Sequence, residues 1–345
     1  MDQITHTCLA VRAIGLLEDS NADPNLVALL KTEMHKTAIG AWMPDLQDTK
    51  RGSGKIDNHV LKMESMKKKD PYFAMGKKEL LAILGDKRSI NAYLIKDTVL
   101  DDNWWKDSYK ATPAPGQHLG NRANALSIAI ADLLIIGDQD LDNLVPGTVS
   151  FANQLDVTIR TKPEQAGLYF FMLSHFIADS CMPMHCDARK LNGFSAGLHH
   201  ELEMHWSGLM PNIFNKYKIL ESTLSSDEII KESKKMDDVV GISFINEVPD
   251  LPVDADVWKE IIMMCRGSFA LSCIVNPLST PYDIDQKGKK FTDIDGTTLL
   301  KEIDAVVLHD AVLSIAIIWK SIWNKFAVNK TSNKQWKSKN QDLPD

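Results

Sequence analysis

The stretch from His175 to Glu203 reads HFIADSCMPMHCDARKLNGFSAGLHHELE, and it twice sets a histidine four residues ahead of a carboxylate: His175 with Asp179, and His199 with Glu203. On a helix that spacing stacks the two side chains on one face, about 6 Å apart at their Cβ atoms. Between the pairs, Pro183 ends the regular hydrogen bonding and lets His185 turn back towards the same region. A single pair would be explained by the two side chains bonding each other. Two pairs with a histidine between them are harder to explain that way, because each buried unsatisfied polar group costs about 1–3 kcal/mol. Imidazole and carboxylate without a thiolate at this spacing suit zinc, with manganese or iron as alternatives. Polar contacts between helices are the other reading of the same spacing.

Neighbouring polar residues read differently. His200 lies about 100° round the helix from His199 and reads as a supporting or solvated group. His205, beside Trp206, reads as packing, and Glu201 as solvated.

Most of the chain predicts helix. The first helix spans roughly Gln3 to Leu17; Asp23 caps and Pro24 opens a second, running to about Thr37. AWMPDLQDTKRGSGKIDNHV reads as irregular, and GKKELLAILGDKRSINAYLIKDTV as one or two helices. NRANALSIAIADLLIIG is an apolar helix ended by Gly137. A further helix starts near Pro163 and runs to the turn at Pro183, and another starts near Leu198. SSDEIIKESKKM, DADVWKEIIMMCRGSFALSCIV and the long TTLLKEIDAVVLHDAVLSIAIIWKSIWNKF complete the set. Strand signals are few, so an all-α class is expected.

With 345 residues, 44% hydrophobic and 25% charged, the chain can bury a substantial core. A net charge of −7 offers no general attraction to nucleic acid or anionic lipid, although a bound metal can reverse the sign of a cleft locally. The five cysteines are odd in number and form no CxxC pair, which fits free thiols in a reducing compartment. The N-terminus carries acids where a signal peptide wants positive charge. The expected compartment is therefore cytoplasmic for the chain as it stands, or secreted or periplasmic if a leader has been removed. No run reaches the 18 apolar residues expected of a spanning helix, so no transmembrane segment is expected.

Three further positions could join the site. Asp45 closes AWMPD and His59 lies in DNHV; each alone reads as a surface residue. His6 sits on the first helix near the α-amine of Met1, which titrates at about 7.7–8.0 and can coordinate a metal once deprotonated.

Together these pieces resemble the zinc-dependent phospholipase C / P1 nuclease family. The likeness is carried by ITH at His6, WMPD at Asp45, NHV at His59, LSHFIADSCMPMH at His175, Asp179 and His185, and GLHHELE at His199 and Glu203. It implies a helical single domain, here residues 1–328, with up to three Zn²⁺ ions at the bottom of a cleft; the Lys/Asn/Ser-rich stretch at 329–345 reads by composition as a polar tail. Asp45, His59, His175 and Asp179 would hold one zinc, and His185, His199 and Glu203 a second. His6 with the amine and carbonyl of Met1 would hold a third, bridged to the first by Asp179. Family members usually begin with tryptophan where this chain has Met1, an exchange that ligation by backbone atoms tolerates. The interval from His59 to His175 is longer than in compact members, so residues from about 65 to 160 read as an enlarged insertion.

The function implied is phosphodiester hydrolysis, with a metal-bridging hydroxide attacking phosphorus in line. Glu203, the loop KLNGFSAG and MPMH around His185 resemble the phospholipase C branch more than the nucleases, so a phosphate ester, including phospholipid, is the expected substrate. An S1/P1-type nuclease or 3′-nucleotidase is the alternative, and a non-catalytic metal-stabilised binding protein a third. Asp45 could also accept a proton, Arg189 could steady a phosphate oxygen, and Asp187 could support a ligand histidine. Cys181 and Cys186 read as small apolar packers. YDIDQKGKKFTDID fails as a calcium loop, since Lys287 takes a ligand position and Ile294 replaces the bidentate glutamate. No nucleic-acid partner is required, and oligomeric state is not readable.

Overall fold

The computed structural model describes residues 1–45, 119–135, 162–187, 195–252, 257–275 and 297–326. The calls on His59, Gly137, Arg189, the two segments between Asp45 and the helix at Leu119, and the tail at 329–345 fall outside them. Among the described residues there is helix and no β-strand, an all-α arrangement.

Helix α1 (Gln3–Asp19) begins where the Asp2 carboxylate accepts the Thr5 N–H at 3.0 Å, filling one of the donors a helix start leaves open. Every residue from Thr5 to Leu17 is buried, which makes α1 a core element. Helix α2 (Pro24–Lys31) starts on Asp23 and Pro24 as expected, but it is shorter than the sequence predicts. Glu33 adopts a left-handed φ of 49°, and the Thr32 hydroxyl bonds back to the Ala28 carbonyl. The chain restarts as α3 (Met34–Thr37) and a 3₁₀ segment, Ala38–Trp42.

Next come α4 (Leu119–Ile135), α5 (Lys162–Ser180), the short α6 (Pro183–Cys186) and α7 (Ser195–Leu209). A 3₁₀ turn at Asn212–Phe214 precedes α8 (Lys216–Leu220). Helix α9 (Ser226–Val240) carries a reciprocal capping box between Ser225 and Glu228 and ends on Gly241 at φ 77°. Helices α10 (Val257–Val275) and α11 (Thr297–Phe326) finish the described fold.

Helix α5 is the axle. It packs against α4, the Ala38–Trp42 segment, α11, α1 and α10, and Ala166 to Ser180 are all buried. The Trp319 indole of α11 donates to the Phe170 carbonyl at 3.0 Å and meets Phe170 and Phe171 edge-on. Gly40 lies so close to α5 that an added Cβ would stand 2.7 Å from the Leu168 carbonyl oxygen, so only glycine lets this segment approach. Helix α4 falls inside the 65–160 interval yet is part of the core: Ala123, Leu126, Ala129 and Ile130 are buried, and it packs on α5 and α10.

One helical stretch, Ile303–Lys325, is long and apolar enough to cross a membrane by composition, with a mean hydropathy of 1.7. Its window is 72% buried against the other helices, the pattern of a core helix. The described cysteines Cys8, Cys181, Cys186 and Cys265 are free and buried.

Candidate metal centre

Helix α5 delivers His175 and Asp179 one turn apart to the buried end of the bundle. The His175 Nδ1 lies 2.9 Å from the Ala41 carbonyl. A carbonyl can only accept, so Nδ1 carries the proton and donates, leaving Nε2 to face the carboxylates. Those are Asp179 Oδ2 at 3.1 Å and Asp45 Oδ1 at 3.5 Å. The close approach at Gly40 sets this contact, because it brings Ala41 and Asp45 against α5.

Asp179 is fully buried and acts as the hub. While Oδ2 faces His175, Oδ1 has three neighbours: the Met1 amine at 3.1 Å, His6 Nε2 at 3.3 Å and His185 Nδ1 at 3.3 Å. The His6 ring stacks on that of His175 with centroids 4.0 Å apart. A second cluster lies alongside. His199 Nε2 is 2.9 Å from Glu203 Oε1 and 2.7 Å from His185 Nε2, which is itself 3.6 Å from Glu203 Oε1. The Met1 amine also reaches Glu203 Oε1, at 2.9 Å, and so ties the clusters together.

The electrostatics are those of a buried, charge-dense cluster. Burial opposes the charged Met1 amine, but the carboxylates of Asp179, Glu203 and Asp45 outweigh it and raise its pKa to about 11. Burial alone would raise the Asp179 carboxyl; His185, the Met1 amine, His175 and His6 reverse that and hold it well below its ordinary value. Glu203 is likewise held low against burial, by the Met1 amine, His185 and His199. His6 is pushed down by burial and by His175 beside it, and burial lowers His185 to about 4, so both imidazoles are neutral near pH 7 and offer lone pairs. His175 is the exception: burial lowers it, yet Asp179 and Asp45 outweigh that and raise it. The field that draws a proton to His175 would equally draw a divalent cation.

The donor set fits a metal. Both ring nitrogens of His6 and the Oδ2 of Asp179 are buried without a hydrogen-bond partner, a costly arrangement that an ion would satisfy. Two groups of three have ligand atoms mutually close enough to share one ion: His6, His175 and Asp179, and His185, His199 and Glu203. The 2.7–3.6 Å separations in the second group bracket the spacing of about 3.3 Å between ligands bound tetrahedrally at about 2.0–2.2 Å. The first group is sealed, whereas His199 and Glu203 retain 30% and 20% side-chain exposure and Asp45 25%, so access from solvent is on their side.

Of the residues singled out from sequence, Met1, His6, Asp45, His175, Asp179, His185, His199 and Glu203 are brought together. His6 keeps company with His175 as closely as with Met1, a sharing that the partition into separate ligand sets does not describe. His200 is exposed. Asp187 is buried and accepts from the Ser272 hydroxyl at 2.6 Å. Two supports escaped the sequence reading. One is the Ala41 carbonyl. The other is buried Asp304 of α11, which takes His205 Nε2 and the Trp206 indole N–H at 2.7 Å each. A backbone carbonyl leaves no mark in a sequence, and Asp304 lies far along the chain from its partners.

Comparison with protein-family models, curated proteins and solved structures finds no match to this chain.

Proposed function

We propose that this chain is a zinc-dependent phosphoric ester hydrolase of the phospholipase C type, acting on phosphodiesters. The supporting observation is the convergence of eight ligand-type groups from four separated parts of the chain, with Met1, His6, His175 and His185 on the two oxygens of buried Asp179 and Asp45, His199 and Glu203 beside them. The Met1 ammonium offsets part of the carboxylate charge, and divalent cations would also engage the neutral imidazoles of His6 and His185. Bound divalent ions would supply an acidic water near neutral pH and neutralise charge developing on phosphorus-bound oxygens.

The chain's own groups would divide the work. Asp179 presents one oxygen to the His175 side and the other to His6 and Met1. Ala41 fixes His175 so that its Nε2 lone pair points inward. His185, His199 and Glu203 form the open position, where a phosphoryl group can enter from solvent. Asp45, partly exposed beside His175, can accept a proton from the attacking water. The buried walls supplied by α1 and α5 exclude bulk water from the sealed group. Glu203, with MPMH around His185, inclines the reading to the phospholipase side of the resemblance.

The test begins with exhaustive chelation, followed by zinc titration in a calorimeter with metal counting. At least two ions should bind, with a rise in Tm and the appearance of chromogenic phosphodiester turnover that His175→Ala abolishes. Parallel assays on phosphatidylcholine, single-stranded DNA and a nucleoside 3′-monophosphate assign the substrate. Zinc binding without turnover of any ester would make the centre structural, and failure to bind zinc would end the proposal.

A further inference from the structure

The aromatic and cationic rim beside Asp45 is not used by the metal-ligand set. Lys216 opens α8, and its ammonium stands 4.4 Å from the centroid of the Trp42 ring and 4.8 Å from that of Tyr217. Both anchors of this arrangement lead to the candidate centre. Trp42 is three residues before Asp45, about 5 Å along a helix. The Lys216 amide is held by the Gln3 side-chain oxygen at 2.9 Å, and the Gln3 amide group donates to the Phe214 carbonyl at 2.8 Å. Gln3 in turn is two residues from Met1, whose amine touches Asp179 and Glu203.

No carboxylate among the described residues lies within ion-pair distance of Lys216. Lys31, Lys36, Lys234, Lys235 and Lys320 each hold an acid, and Lys218 and Lys231, which hold none among the described residues, are exposed, whereas Lys216 is half-buried. Two ring faces attract an ammonium but accept little of the hydrogen bonding its three N–H groups can donate. Lys216 is therefore a half-buried cation with donors to spare, joined through Trp42 and Gln3 to the segments that carry Asp45 and Met1. In metal-free protein the carboxylates of Asp45, Asp179 and Glu203 work against an approaching anion, and Lys216 supplies a positive charge that offsets them.

We infer that Lys216, braced by Trp42 and Tyr217, is a specificity-determining residue that binds a second anionic group of the substrate while the scissile phosphate enters the His185–His199–Glu203 position. This rests on the hydrolase reading and narrows it. The favoured substrate is a phosphate ester bearing an additional phosphate or carboxylate, and a zwitterionic ester with a quaternary ammonium is disfavoured. The ring faces that would receive such a cation are already taken by Lys216.

Binding and turnover give separate tests on the full chain. Inorganic pyrophosphate is titrated calorimetrically into chelated wild type, Lys216→Gln, Lys216→Arg and, as a control on the same helix, the exposed Lys218→Gln. Loss of one charge-assisted contact should weaken binding at least about tenfold in Lys216→Gln, with Lys216→Arg and Lys218→Gln near wild type and all variants melting alike. Lys216→Met, which keeps the packed stem, serves if Lys216→Gln melts early. With zinc loaded, Lys216→Gln should raise KM at unchanged kcat for thymidine 3′-phosphate 5′-(p-nitrophenyl phosphate), and lower KM for p-nitrophenyl phosphorylcholine, whose ammonium gains the vacated ring faces. Equal pyrophosphate binding by wild type and Lys216→Gln, or none by either, overturns the inference. Binding that depends on Lys216 with no ester turned over supports the anion site and overturns the hydrolase instead.

Discussion

Trp206 donates its indole N–H to Asp304 at 2.7 Å, and the second oxygen of Asp304 takes His205 at the same distance. Two successive residues of α7 are thereby fixed to one buried carboxylate of α11, which sets the rotation of α7 about its axis. That rotation decides whether His199 and Glu203, on the turns just before, face His185. Asp304→Ala leaves the Trp206 donor buried and unpartnered, a loss of about 1–3 kcal/mol. The expected result is a lower urea midpoint together with weaker zinc binding at the His185–His199–Glu203 position. Titration calorimetry showing wild-type zinc affinity at all sites would reduce Asp304 to a packing role.

The Met1 amine is enclosed with Asp179 and Glu203, so lengthening or acetylating the N-terminus should be disruptive. Removing one partner of a buried ion pair costs about 3–5 kcal/mol, and the Met1 amine is such a partner to Asp179 and Glu203. A few residues placed ahead of Met1 should lower Tm measurably and reduce the number of metals bound. An extended protein that melts and binds zinc like the original would show the amine to be dispensable.

In metal-free protein the centre sets opposing pH dependences. His185 falls from 6.5 to about 4 on folding. The unfolded chain therefore takes up its proton first, and this contribution is complete above about pH 6.5 and is lost as pH falls to about 4. A shift of that size is worth about 3 kcal/mol, and His6 moves in the same direction. The raised His175 has the opposite sign, its contribution fading as pH climbs through its folded value. Met1, raised from 8.0 to about 11, contributes below pH 8 and loses that contribution towards pH 11. Urea unfolding in chelator should show stability greatest near pH 6.5, falling on both sides. A flat profile from pH 4 to 8 would mean that His185 and His6 are not enclosed as described.

What the sequence made legible was local. The four-residue spacings put His175 with Asp179 and His199 with Glu203 on shared helical faces without any knowledge of the fold, because one turn of helix dictates it. Asp23 with Pro24 marked a helix start for the same reason. Two features were not legible. The break at Thr32 and Glu33 depends on a left-handed glutamate, a residue type with no preference for it. Long-range partnerships, such as Asp304 with Trp206 or Lys216 over Trp42, are choices of packing that periodicity does not encode. The two nitrogens of His185 show the same limit: a spacing can nominate a ligand, but only the fold shows one nitrogen on Asp179 and the other on His199.

The route from Met1 to Asp179 and Glu203 also bears on biogenesis. The opening segment of α1 is made before its partners, which emerge some two hundred residues later, about 10–40 s at typical rates of synthesis. Until then His6 and the residues around it must stay solvated or be sheltered by a chaperone. Closure of the centre thus belongs to the late stages of maturation, after α5 and α7 have left the ribosome, and a nascent chain stalled before α7 would lack His199 and Glu203.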